Sequence, residues 1–541
     1  MLNENQLVSF LGDLAMALRL LRRLPGYLRR PLTLDHCHSI LRQRLARREA
    51  DFLDLARATI FADRTSPYLA LLEMAGCESG DLERLVSHEG VEGTLSLLFR
   101  QGVYLTVDEF KGRIPLIRGS TTVAIGADRF RNPLSVPHLG VTTSGSRGLP
   151  TRVRLDIASV RDRAVNMCLA LDARGGARWR TAVWSARGIT PLLWFSGYGE
   201  PAVRWFLITD PGSLGLASPF WWSIQTMAWA SRIAGVPVPS PEFVSVEAPA
   251  PIIEWIGQTL GAGDVPHLWG APSSVVRLCQ AAEEAGIDLA GARFTITGEP
   301  VTEARLAAIR RVHGDAVPDY GSVDSGGSIS YGCLSPEAPD EVHVFSDLNA
   351  VIQADGPPFP AGALLVSSLR PTTPFVLLNV SMGDRATITR RRCGCPLETL
   401  GWRTHLHSIR SYEKLTAGGV TFEDTDVVRV LEEILPRRFG GGPADYQLVE
   451  SDAADGQPRL RLLVRTSVGP VDPAEVSNVF LDAIGSESEA SRHMADQWRQ
   501  AGFLRVERAD PHATTSGKIL HLVTGPTGRS GDLGDGHTGG R

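Results

Sequence analysis

Val141-Thr142-Thr143-Ser144-Gly145-Ser146-Arg147-Gly148-Leu149-Pro150-Thr151 is the stretch on which the reading of this 541-residue chain turns. It follows a short apolar run and is dense in Gly, Ser and Thr, so it reads as a turn leaving a strand. Glycines allow close approach and unusual dihedrals, and short hydroxyls add donors, so such a loop can aim N–H and O–H groups at phosphate oxygens. The segment does not match GxxxxGK[ST], so an ordinary P-loop ATPase is not implied, and a polar surface turn would account for the segment taken by itself.

Downstream, from about 150 to 345, the apolar runs RWFLITD, PEFVSV and ARFTITG alternate with the helical stretches APIIEWIGQTL and EARLAAIRRVH. That alternation predicts α/β layers with a largely parallel sheet. Between about 340 and 410, HVFSDLNAVIQ, GALLVSSLR and DRATITR predict a smaller sheet. Upstream, residues 1–115 carry apolar positions at three- and four-residue spacing and predict a helical N-terminal layer. After 411 the pattern restarts as strand or turn, helix, strand, strand, helix, strand, which fits an independent ferredoxin-like α+β domain over 411–525. Residues 526–541 are Gly-rich and are expected to be a disordered tail. The predicted organisation is therefore a large multi-layer α/β domain, with core residues 116–410, followed by a small α+β domain.

Hydrophobic residues make up 43% of the chain and charged residues 21%, enough to build a proper core. A net charge of -5 and a pI near 6.3 give no field suited to a nucleic-acid backbone. The cysteines Cys37, Cys77, Cys168, Cys279, Cys333, Cys393 and Cys395 are odd in number and scattered, which argues against a disulfide framework and for a reducing cytoplasm. No membrane span and no export signal are expected. Leu7–Arg30 places leucines beside arginines at helical spacing; a helix packed on its own protein is favoured over one lying on an anionic membrane.

Further segments give the Gly-rich loop a context. Thr143–Thr151 resembles the SSGTTGxPT loop of the adenylate-forming superfamily, in the version carried by phenylacetate-CoA ligases. Thr297-Gly298-Glu299-Pro300 resembles that family's GGEP turn, Asp319-Tyr320-Gly321-Ser322-Val323-Asp324 its YGxxE motif, and Met382-Gly383-Asp384 its TGD motif. Arg410 with Gly418-Gly419-Val420 resembles the hinge and glycine turn that open the small domain, and Ser516-Gly517-Lys518 the turn carrying the catalytic lysine. Six short motifs in the family's order span about residues 115–525.

The resemblance implies an ATP-dependent carboxylic acid ligase using Mg²⁺ and passing the acyl group to coenzyme A. Attack of a carboxylate on the α-phosphorus builds charge on phosphoryl oxygens, so catalysis rests on positioning and cations. Lys518 would bridge carboxylate and α-phosphate, and Asp324 would hold Mg²⁺. Thr143, Ser144, Gly145, Ser146, Gly148 and Thr151 would cradle phosphates. Gly298, Glu299, Pro300, Asp319, Tyr320, Gly321, Ser322, Asp384 and Arg410 would complete the nucleotide site, with Asp384 on the ribose hydroxyls and Tyr320 near adenine. The chain departs from the family in three places: Asp324 replaces the usual Glu, the hinge reads Arg410-Ser411-Tyr412-Glu413-Lys414, and LLNVS replaces an arginine-rich run.

Cys393-Gly394-Cys395, with Cys333 and His343 upstream, offers three sulfurs and an imidazole for a closed structural Zn²⁺ site, an arrangement some phenylacetate-CoA ligase relatives share. The alternative is a buried Cys333 and a plain CGC loop. The acyl pocket is expected among His267–Ser273, the GEP turn and Gly326-Gly327, with Trp269 suiting an aryl or medium apolar acid and His267 a hydrogen-bonded core residue. A cysteine of its own as acyl acceptor is disfavoured, since none follows Cys395. Coenzyme A is the first-choice acceptor; a carrier-protein phosphopantetheine, an amine, or an inactive nucleotide-binding homologue remain alternatives. A homodimer is among the expected assemblies.

Overall fold

Strands Arg180–Ser185, Arg204–Leu207, Pro241–Phe243, Pro266–Gly270, Arg293–Thr297 and Asp315–Asp319 form a six-stranded sheet in the computed structural model. The structure describes residues 4–523 apart from 124, 143–151, 187, 199–200, 211–218, 413–414, 418–419, 423, 453–457, 487–488 and 515–516. Every pairing in this sheet is parallel. Apolar residues of its strands are buried on both faces, among them Val183, Trp184, Leu268, Phe294 and Ile296.

Strand order across the sheet is 315–319, 293–297, 266–270, 180–185, 204–207, 241–243. The chain starts in the middle at Arg180–Ser185, walks to one edge, returns to the other side at Pro266–Gly270 and walks to the opposite edge. The strand order reverses between Arg180–Ser185 and Pro266–Gly270, and the carboxyl ends of strands at such a reversal are the usual ligand position in parallel sheets.

A second six-stranded sheet, in the order Ser330–Gly332, Val342–Val344, Thr404–Ser411, Val380–Arg390, Ala363–Ser368, Asn349–Gln353, is antiparallel throughout. The expectation of a smaller sheet at 340–410 is corrected: it starts at Ser330 and has as many strands as the first. Its extra strands, Ser330–Gly332 and Val342–Val344, are only three residues each, too short to show alternation in the sequence.

The N-terminal layer is helical as expected, with helices Glu4–Leu28, Leu34–Ala46, Arg48–Ala56, Pro67–Met74 and Ser79–Arg100. Thr33 caps the second by accepting from the His36 N–H, and Pro67 sits at the start of the fourth, where a missing N–H costs nothing. The first helix packs on its own protein through Met16, Leu20, Leu24 and Leu28, and the Tyr27 hydroxyl donates to the Leu193 carbonyl at 2.6 Å. Strands Leu139–Thr142 and Arg152–Leu155 pair antiparallel with Thr142 opposite Arg152, so they bracket the Gly-rich loop.

The chain divides into two compact units, residues 1–413 with 515–518, and 414–514 with 519–541. The second unit has a mixed four-stranded sheet in the order Leu504–Arg508, Pro458–Val464, Tyr446–Asp452, Leu522–Val523. Helices Pro473–Gly485 and Glu489–Ala501 connect its parallel pair Pro458–Val464 and Leu504–Arg508, and Val427, Leu431, Leu448, Leu462, Phe480 and Trp498 fill its core. The single long helix expected there is two, the strand Leu504–Arg508 was not anticipated, and the hairpin Leu415–Ala417 with Val420–Phe422 forms its own sheet. Among the described residues no helix is long and apolar enough to cross a membrane.

Candidate active site

Gly298 follows the strand Arg293–Thr297 with φ near +85°, a conformation that disfavours any side chain. A Cβ there would also stand 2.8 Å from Lys518 Nζ, and the Lys518 ammonium donates to the Gly298 carbonyl at 2.7 Å. Gly298 therefore makes room for the lysine, which belongs to the short segment 515–518 of the first unit. Desolvation lowers the Lys518 pKa from its ordinary value, and the charge of Glu299 opposes that shift.

Glu299 is locked. Its carboxylate accepts from the Ser273 N–H at 3.0 Å, the Ser273 hydroxyl at 2.7 Å and the Arg305 guanidinium at 2.7 Å, and the Glu299 and Arg305 side chains are each 1% exposed. Arg305 also donates to the Pro300 carbonyl. The GEP turn is thereby tied to Ser273, at the start of the helix Pro272–Glu284 that follows the switch-point strand Pro266–Gly270.

The edge strand ends at Asp319. Tyr320, next in the chain, donates its hydroxyl to Asp384 Oδ2 at 3.0 Å, and burial followed by the Asp384 charge raises its phenol pKa. Asp384 lies on Val380–Arg390, so two segments 64 residues apart meet at one hydrogen bond. Gly321 pairs with Ser328, where a Cβ would strike the Gly327 carbonyl at 2.5 Å, and the Ser322 hydroxyl accepts from the Asp324 N–H.

Asp324 is buried and paired with Lys111, Nζ to Oδ2 2.7 Å, while its Oδ1 has no partner among the described residues. That single unpaired oxygen fits Mg²⁺, which commonly takes one carboxylate and fills its other positions with water and phosphate oxygens. Lys111 was not anticipated. Arg410 donates to Asp340 Oδ2 at 2.9 Å, and Asp340 also accepts from the N–H groups of Ser408 and Ile409, so the guanidinium is committed to that turn. His267 is fully buried between the Thr181 hydroxyl at 3.1 Å and the Thr295 hydroxyl at 2.9 Å, as expected of a core histidine, and burial lowers its pKa. Thr143, Ser144, Gly145, Ser146, Gly148 and Thr151 lie outside the described residues, as do Gly418, Gly419 and Ser516.

The Cys/His set does come together. Ligand atoms of Cys333, His343, Cys393 and Cys395 all lie within 4.8 Å of one another. His343 Nε2 is 3.2 Å from Cys395 Sγ and 3.6 Å from Cys393 Sγ, close to the roughly 3.5 Å that tetrahedral Zn–N and Zn–S bonds impose. His343 Nδ1 sits 2.6 Å from the Trp402 carbonyl, which orients the ring and leaves Nε2 toward the sulfurs. Hydrogen bonding from the Cys333 thiol, and then from His343, holds the Cys395 thiol below its ordinary range, while the same pairing pushes the Cys333 thiol up. These residues fit Zn²⁺. Glu341 and His405 lie beside Cys333, but Arg391 holds the carboxylate at 2.8 and 2.9 Å.

No family model matches the chain, and no curated protein matches it. Among solved structures it is similar to a 2-hydroxyisobutyryl-CoA ligase in complex with 2-HIB-AMP and CoA (16% identity, TM-score 0.44, covering 88% of this chain and 90% of that one). It is also similar to the anthranilate CoA ligase AuaEII in complex with anthranoyl-AMP (12%, 0.42, 84% and 79%) and to the o-succinylbenzoate CoA synthetase MenE of Bacillus subtilis with ATP and magnesium (15%, 0.39, 72% and 70%).

Proposed function

We propose that this chain is an ATP-dependent carboxylic acid ligase that forms an acyl-adenylate and passes the acyl group to the thiol of coenzyme A, in the manner of phenylacetate-CoA ligases. The observation that carries the reading is the Lys518 ammonium seated on the Gly298 carbonyl beside the locked Glu299, at the carboxyl end of the parallel sheet. A partly desolvated ammonium there can turn from one carbonyl to the oxygens of a carboxylate and an α-phosphate, where it stabilises charge that develops only during transfer. Glu299, fixed by Ser273 and Arg305, keeps the turn that presents Gly298 in place. Asp384, positioned by the Tyr320 hydroxyl, accepts from ribose hydroxyls. Mg²⁺, held by Asp324 Oδ1, would neutralise phosphate charge. Zn²⁺ on Cys333, His343, Cys393 and Cys395 would be structural, since four protein ligands leave no open position.

The test is acid-dependent pyrophosphate release from ATP with and without coenzyme A. Lys518→Ala is expected to lower release by about 10²–10³-fold with the fold intact, the usual loss for one charge-stabilising group. Stimulation by coenzyme A identifies the acceptor; stimulation only by a phosphopantetheine carrier or an amine moves the reading to those acceptors. The buried Lys111–Asp324 pair favours one second reading, an inactive nucleotide-binding protein, for which Lys518→Ala would leave ATP binding unchanged and no acid would release pyrophosphate.

A further inference from the structure

The parallel sheet carries a column of polar side chains on one face that is satisfied at depth and unsatisfied at its carboxyl edge. At depth, Thr181, His267, Thr295 and Tyr331 bond to one another in sequence at 3.1, 2.9 and 3.1 Å. Strand register continues the column. Val183, Trp269, Thr295 and Val317 stand in one row, so Ser185 and Asp319, each two residues further along its strand, share the face of Trp269. The helix Ile189–Gly197 covers this face: Phe195 packs on His267, and Trp194 meets Trp269 edge to face with ring centres 6.3 Å apart.

At the edge three buried polar atoms have no hydrogen-bond partner among the described residues, Trp194 Nε1, Trp269 Nε1 and Asp319 Oδ1, while the likewise unpartnered Ser185 Oγ stands three strands away from Asp319. Asp319 is 4% exposed and only its Oδ2 is served, by the Ser328 hydroxyl at 2.6 Å. The Trp269 N–H lies near enough to temper the Asp319 pKa, which burial pushes up to about 7, yet it completes no bond to Oδ1. An orphaned buried group is costly, and the three on Trp194, Trp269 and Asp319, brought together where the helix Ile189–Gly197 meets the sheet edge, point to an occupant.

Resting on the ligase reading above, we propose that this cluster binds a hydroxyl group on the acid substrate, so that the chain activates a hydroxylated rather than a plain aryl or aliphatic acid. A hydroxyl offers one proton and two lone pairs, which matches one carboxylate oxygen and two indole N–H groups. An ammonium has no lone pair for the indoles, and a bare hydrocarbon leaves all three atoms unpaired. Asp319 thereby acts on the acyl group through its side chain, while Tyr320, the next residue, turns to Asp384 on the nucleotide side.

Matched acids with and without a single hydroxyl, aryl and medium-chain, test this in two measurements on the whole protein: equilibrium binding by calorimetry, and pyrophosphate release. At least one hydroxy acid is expected to bind tenfold or more tightly than its parent, and Trp269→Phe or Asp319→Ala to reduce that ratio to about threefold or less. Asp319→Asn substitutes if the alanine variant does not fold. The proposal is overturned if no pair shows a preference, if the preference survives both variants, or if the amino counterpart is preferred. Hydroxyl preference in binding without pyrophosphate release would sink the ligase reading and leave the subsite standing; release from parent and hydroxy acids alike would do the reverse.

Discussion

Lys111 and Asp324 pair at 2.7 Å with side chains only 14% and 7% exposed, so neither charge can fall back on water. Removing one partner strands the other, and Lys111→Met is expected to destabilise the protein by about 3–5 kcal/mol, while Lys111→Met with Asp324→Leu recovers most of it. Urea unfolding of the three proteins measures both effects; equal loss in single and double variants would refute the pairing. Asp319 gives a pH signature. In the unfolded chain its proton leaves near 3.8, whereas the folded carboxyl keeps it to about 7. Between those values the folded state binds the extra proton, so stability falls as pH rises, by on the order of 4 kcal/mol over the window. Asp319→Asn lacks that proton, and its stability relative to the parent should climb from pH 5 to pH 8; a flat difference would contradict the burial argument. The sequence marked Asp324, Glu299, Asp384 and Lys518 as candidates because each sits in a motif. Lys111 carried no such mark: it stands in DEFKGR, an ordinary solvated-looking run, and its partner is 213 residues away. The same holds for Ser273 and Arg305, whose grip on Glu299 no local pattern announces.

The loop carrying Cys393 and Cys395 joins strands Val380–Arg390 and Thr404–Ser411, and Cys333 follows Ser330–Gly332, so the four ligands fasten one end of the antiparallel sheet. Elemental analysis is expected to find one zinc per chain, and Cys395→Ser to remove it and lower the unfolding temperature; metal-free protein of full stability would dismiss the site. Elements were legible where the burial pattern was regular. Parallel strands buried on both faces appear as apolar runs, and the helical layer shows its periodicity. Leu504–Arg508 escaped because LRVER, at a sheet edge, offers only two apolar residues beside three charged ones.

Each of the two units has its own buried cluster, one built around Trp184-adjacent strands and the antiparallel sheet, the other around Leu448, Leu462 and Phe480. Cores that do not share side chains unfold with separate cooperativity, so calorimetry is expected to resolve two transitions; a single one with matching calorimetric and van't Hoff enthalpies would show them to be one unit. The two units meet at residues 413 and 414, and the assignment of 515–518 to the first unit has no local signal in the sequence. The N-terminal helices belong to that first unit through contacts made very late in the chain. Arg44 reaches Asp347, Asp51 holds Arg370, and the Tyr68 hydroxyl donates to the Val376 carbonyl, with sequence separations of 303, 319 and 308. At ribosomal rates of about 5–20 residues per second, these partners emerge roughly 15–60 s after the helices that need them. During synthesis the apolar faces of the helical layer thus stand uncovered for that interval, which makes the nascent chain a natural client for chaperones until its antiparallel sheet has been translated.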